Sequence, residues 1–254
     1  LSAAEGGEPA AFANVARCYQ QGIGTAQDYA AAAKWYQNAA ETGDAFAQYQ
    51  LAWQYENGYG IEANNEVAYN LYAKSAEQGN GYSMHKMGYF YEHGLYVTQD
   101  DALALQWYRK SADAGNENGL YSMGLMYESG TKLIKQDLSK AESCYTLSAK
   151  KGNSSAQNNL GVMHRNGEGV QKDASRAFQL FASSARSGNQ FGQLNLGECY
   201  ELGLGTEKNP GEAARWYAAS AGQNNPEALY RIGMCYFEGT GVEKDVSKSI
   251  SFIS

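Results

Sequence analysis

No apolar run in this sequence reaches the roughly 18 residues that a membrane-spanning helix needs, so no segment is expected to insert into a bilayer. Basic clusters are missing too. Net charge is −7, with six Lys/Arg against twelve Asp/Glu in residues 1–110 and fourteen against fifteen in the remainder. Without a basic stripe to neutralise phosphates, nucleic acid is excluded as a partner. Histidines number three, His85, His93 and His164, and none has neighbours at a metal-ligand spacing. There is no phosphate-cradling loop ending in Gly-Lys, no Gly-x-Ser-x-Gly elbow and no His-Glu-x-x-His, so neither a cofactor nor a catalytic residue is expected. The start shows no basic-then-apolar signal profile and no initiating Met, which reads as a fragment or mature piece. Proline is scarce, three residues in all, whereas glycine is abundant at 29. With 43% hydrophobic residues to bury, that balance describes short helices punctuated often.

The punctuation is periodic. Gly-x-Gly pairs stand at Gly22/Gly24, Gly58/Gly60, Gly167/Gly169, Gly203/Gly205 and Gly239/Gly241, and Gly94 and Gly130 keep the first glycine in between. Three residues ahead of each comes Tyr19, Tyr55, Tyr91, Tyr127, His164, Tyr200 or Tyr236. Three further back is a small residue: Ala16, Ala52, Gly88, Gly124, Gly161, Gly197 or Gly233. The period is 36 residues, with a single step of 37 between Gly124 and Gly161. Such self-similarity marks a stacked array.

Each unit reads as two helices. The first follows Asp44, Asn80, Asn116, Asn153, Asn189 or Asn225, and the second follows Asp28, Asn64, Asp100, Asp137, Asp173, Asn209 or Asp245. Such side chains accept hydrogen bonds from the free amides of a helix start. Pro210 and Pro226 sit just inside two of these starts, where proline is tolerated. The second helix ends at Gly43, Gly79, Gly115, Gly152 or Gly188, with Asn224 in that place in the sixth unit. Large pairs such as Trp35-Tyr36, Leu71-Tyr72 and Trp216-Tyr217 precede small pairs such as Ala39-Ala40, Ser75-Ala76 and Ser220-Ala221 by four residues, one helical stripe. The small residue of the first helix lets a ring approach its backbone. One unit alone would leave half of that packing exposed.

The pattern Leu160-Gly161-x-x-His164-x-x-Gly167-x-Gly169-Val170-x-x-Asp173, repeated as Ile232-Gly233-x-x-Tyr236-x-x-Gly239-x-Gly241-Val242-x-x-Asp245, resembles the Sel-1-like repeat, a relative of the tetratricopeptide repeat. The tetratricopeptide period is about 34 residues, and the longer Gly-x-Gly loop favours the Sel-1-like form. The resemblance covers essentially the whole chain. It implies an all-α, right-handed superhelical solenoid of about seven antiparallel helix pairs. Repeats are expected at 8–43, 44–79, 80–115, 116–152, 153–188, 189–224 and 225–254, the last truncated, with residues 1–7 as the tail of a preceding unit. The array is expected to continue in both directions.

By the same resemblance, the first helices line a concave surface. Just after the small residue stand Arg17, Trp53, Tyr89, Leu125, Val162, Glu198 and Met234; three before it stand Ala13, Tyr49, His85, Tyr121, Asn158, Leu194 and Tyr230. A third column runs Gln20, Glu56, Glu92, Glu128, Arg165, Glu201 and Phe237. The expected partner-binding residues are Tyr49, Trp53, Glu56, His85, Tyr89, Glu92, Tyr121, Glu128, Tyr230 and Phe237. An aromatic strip beside carboxylates suits a partner carrying apolar and basic side chains. The competing reading makes the rings edges of the helix packing and the glutamates ordinary helix formers.

The resemblance implies an adaptor or scaffold for a protein or peptide partner, as in subunits of the endoplasmic-reticulum quality-control ligase or in bacterial secreted and periplasmic factors. It leaves endoplasmic reticulum lumen, periplasm or exterior, and cytoplasm all open. Cysteine-rich relatives proposed to act on cell-wall or β-lactam substrates supply an enzymatic alternative, and a self-assembling spacer supplies a structural one. This chain lacks the cysteine pair that some relatives place in every repeat. Cys18, Cys199 and Cys235 share one column, on the order of 10 Å apart in stacked helices against a disulfide span of about 4.4–6.8 Å, so they and Cys144 read as buried free thiols. His164 fills the tyrosine column, either as a structural polar aromatic or as a pH sensor. Asn153 begins an Asn-Ser-Ser triplet and is read as a helix cap, with glycosylation as the alternative. The fourth loop, Gly130 to Gln136, gains one residue and loses its second glycine, so Leu133 and Ile134 either plug the valine site or form an exposed contact.

Overall fold

A computed structural model describes residues 9–253. Among them the chain forms fourteen α-helices and no strand. The first pair is α1 (Pro9–Gln21) and α2 (Tyr29–Glu41), followed by α3 (Ala45–Asn57) with α4 (Asn65–Glu77), and α5 (Gly81–His93) with α6 (Asp101–Asp113). Then come α7 (Glu117–Ser129) with α8 (Leu138–Lys150), and α9 (Ser154–Asn166) with α10 (Ala174–Arg186). The last two pairs are α11 (Gln190–Leu202) with α12 (Pro210–Ala221), and α13 (Pro226–Glu238) with α14 (Val246–Ile253). Odd-numbered helices are the first of each repeat. The expected tail at Ala3 to Gly7 lies outside the described residues.

The caps read from the sequence are made. Asp28 accepts from the Ala31 amide at 2.9 Å, Asp44 from Ala47 at 2.7 Å, and Asn153 from Ala156 at 2.8 Å. The capping residue of each second helix also donates its amide back to the preceding aromatic column, as Asn64 does to the Tyr55 carbonyl at 2.9 Å and Asp173 to that of His164 at 2.8 Å. Both ends of every loop are thereby tied. Asn224, where other repeats have glycine, adopts φ 60°, a region that asparagine enters at low cost.

Two compact units form. One runs up to Met123 and includes Thr131–Ile134; the other comprises Gly124–Gly130 and the chain from Lys135 on. In the first, Tyr72 lies fully buried with Ala52, Ala68, Met87 and Phe90, its ring edge-on to Phe90 at 5.9 Å. In the second, Phe181 is covered by Leu196 and Cys199, and Tyr217 by Ala228 and Ile232. In these three repeats the second-helix ring rests on the first helix of the next. On its other side it meets the small column: a side chain at Gly88 would strike the Tyr108 ring at 2.6 Å, and one at Gly161 the Phe181 ring at 2.6 Å. Burying such a ring contributes about 2–3 kcal/mol, and neither repeat alone provides both walls.

A serine column ties the two helices of several pairs together. Ser75 donates to the Ala45 carbonyl at 2.6 Å, Ser111 to Gly81 at 2.7 Å, Ser184 to Ser154 at 2.7 Å and Ser220 to Gln190 at 2.8 Å. A glutamine ladder is less complete. Gln48 Oε1 accepts from Gln78 at 2.8 Å and Gln193 Oε1 from Gln223 at 2.9 Å, each pair 30 residues apart. Gln157 Oε1 is buried without a partner, because Ser187 stands where the donating glutamine would be. Ser187→Gln is therefore expected to stabilise the chain by about 1 kcal/mol, read as a higher urea midpoint. An unchanged or lower midpoint would sink the ladder.

In the fourth loop Ile134 is buried while Leu133 is 70% exposed. The Thr131 hydroxyl accepts from both their amides, at 3.3 and 3.1 Å, and fixes that split. Ile134 plugs; Leu133 does not.

Candidate functional site

The ten residues expected to meet a partner fall in both units. Tyr49, Trp53, Glu56, His85, Tyr89, Glu92 and Tyr121 belong to the first, and Glu128, Tyr230 and Phe237 to the second. On α3 and α5, Tyr49, Trp53 and Tyr89 are half-buried. Tyr49 sits 5.8 Å from the exposed Tyr82 ring, and Trp53 sits 4.9 Å from Tyr59, which itself stacks on Tyr29 at 5.1 Å. Lys86 lies 5.3 Å over the Tyr89 ring, and Tyr89 packs on His93 at 4.1 Å. The rings are buttressed by one another and are presented at low entropic cost.

The glutamate column has internal work. The Tyr72 hydroxyl donates to Glu56 at 2.6 Å, Tyr108 donates to Glu92, Tyr145 to Glu128 at 2.6 Å and Tyr217 to Glu201 at 2.5 Å. In the first repeat Gln20 accepts from Tyr36 at 2.6 Å. Where the buried ring is Phe181 and has no hydroxyl, the column switches to Arg165, whose guanidinium lies 5.5 Å over that ring. Each acceptor satisfies a hydroxyl that would otherwise be buried unpaired. Burial, then the neighbouring carboxylates, push the Tyr72, Tyr108 and Tyr217 hydroxyls well above the usual tyrosine range, and burial does so for Tyr36 against the opposing charge of Arg17. Glu56 also pairs with Lys86 at 2.8 Å.

His85 faces inward as well. Its Nε2 lies 3.0 Å from the Ser122 hydroxyl and its ring 5.2 Å from that of Tyr108, and burial followed by the charge of Lys86 pushes its pKa down to about 4. In the second unit the same face is polar. Arg165 bonds Asn195 at 2.8 Å and Glu198 at 3.1 Å, Asn195 reaches Asn158 at 2.8 Å, and Arg231 bridges Glu227 at 2.7 Å and Glu201 at 3.3 Å. Tyr230 and Phe237 are about half exposed there. His164 Nδ1 is buried without a partner. All four cysteines are free, Cys144 and Cys199 buried, Cys18 and Cys235 half-buried, and burial pushes the Cys199 thiol up to about 11. A thiol raised in this way is a poor nucleophile. Among the described residues no helix is long and apolar enough to cross a membrane.

The tie between each ring, its small residue and its acceptor recurs with the repeat, and a family model described as the Sel1 repeat matches residues 9–44, 45–80, 81–116, 118–153, 154–189, 190–225 and 226–252. The chain belongs to the Sel1 repeat family. Solved structures agree on the fold. A protective antigen of uropathogenic Escherichia coli displaying an SLR fold is 33% identical, with a TM-score of 0.82 over 98% of this chain and 53% of that one, so this chain spans about half its length. A Sel1 repeat protein from Oxalobacter formigenes is 32% identical, with a TM-score of 0.81 over 85% of this chain and 88% of that one. An immunity protein from Pseudomonas aeruginosa, 22% identical with a TM-score of 0.54 over 82% of this chain and 80% of that one, shares the fold alone. No curated protein matches the sequence.

Proposed function

We propose that this Sel1 repeat chain is a non-catalytic scaffold that holds a protein or peptide partner against the first-helix face of its N-terminal unit. The observation that carries this reading is the run of half-open rings Tyr49, Trp53 and Tyr89, with Tyr82, on the adjacent helices α3 and α5. Aromatic rings fixed by their neighbours are the side chains that dominate binding energy at protein interfaces. Residues 1–110 carry twelve acidic against six basic side chains, which favours a partner segment mixing apolar and basic residues. Glu56 and Glu92 contribute field here rather than direct contacts, since each already accepts a tyrosine hydroxyl. His85, with its ring against Tyr108 and its Nε2 at the Ser122 hydroxyl, belongs to the supporting layer.

The test is the pair Trp53→Ala and Tyr89→Ala in one chain, used as bait beside the wild type in extract of the native organism. The partner recovered by the wild type is expected to be lost at least tenfold on the double variant, with helicity and melting nearly unchanged, since two interface anchors carry about 2 kcal/mol each. A large fall in melting temperature would make these rings core. Equal recovery would place the partner elsewhere.

A further inference from the structure

In the second unit a cavity of about 220 Å³ opens between α8, α9 and α10. Buried Leu160 and Leu180 line it together with Lys150, Arg176 and Gln157. The same cavity recurs three repeats earlier, in the first unit, where Glu41 stands at the place of Lys150 and Val67 at that of Arg176. An acidic and an apolar residue have thus been exchanged for two cations.

Neither cation is neutralised from within. Among the described residues no carboxylate lies within ion-pair distance of Lys150 or Arg176. Lys150 ends α8, where the helix dipole favours positive charge. Arg176 sits in the first turn of α10, where the dipole opposes it. Lys140, at the same position of α8, pairs with its own cap Asp137 at 3.1 Å. Arg176 makes no such pair with its cap Asp173 and lines the cavity instead.

A buried acceptor stands beside the two charges. Gln157 is 8% exposed, and its Oε1 has no partner, whereas Gln48 and Gln193 each receive a side-chain amide at that atom. The Gln157 Nε2 is committed to the Ala149 carbonyl at 3.3 Å, so the unmet group is an acceptor. A ligand that meets all three groups carries a carboxylate and an N–H a few bonds apart, as an acidic residue of a peptide does. Pockets that enclose a whole small molecule run to about 300–1,000 Å³, so this smaller one suits a single side chain of a longer segment.

We propose that the α8–α9–α10 cavity receives an Asp or Glu side chain of an acidic peptide segment, its carboxylate between Lys150 and Arg176 and a backbone N–H of the segment on Gln157 Oε1. Charge-assisted bonds to a guanidinium and an ammonium supply the strength, and the buried amide supplies the selection for a peptide. The surroundings favour the approach of such a segment: residues 138–187 hold seven Lys/Arg against three Asp/Glu, in a chain of net charge −7. This partner is opposite in charge to the one proposed for the N-terminal unit, and the site does not rest on Trp53 or Tyr89.

The test is fluorescence anisotropy of a labelled Gly-Glu-Glu-Gly peptide titrated with the 254-residue chain. Affinity is expected to fall about tenfold or more in Lys150→Gln and in Arg176→Gln, and to hold in Arg186→Gln, which removes one charge outside the cavity. Lys150 and Arg176 are exposed, so their replacement leaves the fold intact. Ser187→Gln supplies the ladder amide to Gln157 from within. It is expected to weaken the peptide several-fold while raising the urea midpoint, a combination that unfolding cannot produce. A wild type that does not bind the peptide would overturn the proposal. So would a Gly-Gln-Gln-Gly peptide or inorganic phosphate that binds as tightly, a loss from Arg186→Gln as large as from Arg176→Gln, or binding untouched by Ser187→Gln.

Discussion

Gly205→Ala is expected to cost about 3–5 kcal/mol, while the same change at Gly24 costs about 1 kcal/mol. Both glycines hold the second place of a Gly-x-Gly loop and both have φ of 70°, so the penalty for a left-handed alanine is common to the two. Their surroundings differ. A Cβ at Gly205 would land on the carbonyl of Ala174 and within 2.9 Å of Ser175 Cα, in the first turn of the preceding repeat's second helix. At Gly24 it would meet nothing within 4 Å. The obstacle at Gly205 is backbone, which cannot swing aside, so the repeats must part. Urea unfolding of the two variants measures the difference; equal losses would show that the loop does not set the repeat spacing. Tyr96 shows what a side chain there requires. It takes φ of 64°, packs 5.6 Å from Tyr69 and donates its hydroxyl to Glu66 at 3.1 Å, all on the preceding second helix, so strain is offset by a staple.

The second large effect is alkaline unfolding. Tyr36, Tyr72, Tyr108 and Tyr217 resist ionisation in the folded chain, because burial and, for the last three, an adjacent carboxylate oppose a phenolate. The unfolded chain gives up those protons near pH 10. Above that pH it binds fewer protons than the native state, so stability falls as pH rises. It is fully present below about pH 10. Tyr72 and Tyr108 alone remove about 3 kcal/mol for each further pH unit, a large part of a marginal total. Helicity is expected to be lost in one steep step between about pH 10 and 12, together with the rise of tyrosinate absorbance. Tyr72→Phe should shallow that step by about one proton. Smooth titration of these hydroxyls near pH 10 with helicity intact would refute the Tyr–Glu pairing.

Much of this fold is legible in the sequence because its signals are local. An Asn or Asp at each helix start and a glycine at each loop act within a turn, and the period multiplies them sevenfold. The Glu56–Tyr72 pairing was legible in principle. Acceptor and ring are separated by 16 residues in four repeats and by 17 in the fourth, and where the ring is Phe181 the acceptor is replaced by the cation Arg165. Read column by column, glutamate resembles a surface residue; only the covariation with a distant column exposes its role. Nor could spacing separate Leu133 from Ile134. Both are aliphatic, and which one turns inward follows from the Thr131 hydroxyl turn. The orphan at Gln157 needs the ladder partner, Ser187, to be seen. The aromatic face remains a proposal, resting on rings that are large and only partly covered.

That face is tested most directly by placing a photo-crosslinking amino acid at position 53 or 89 and, for comparison, at exposed Lys34 on α2, then irradiating each in native extract. Positions 53 and 89 are expected to trap the same partner band while position 34 traps none. Crosslinks that form from Lys34 and not from the ring positions would contradict a binding surface on the first helices.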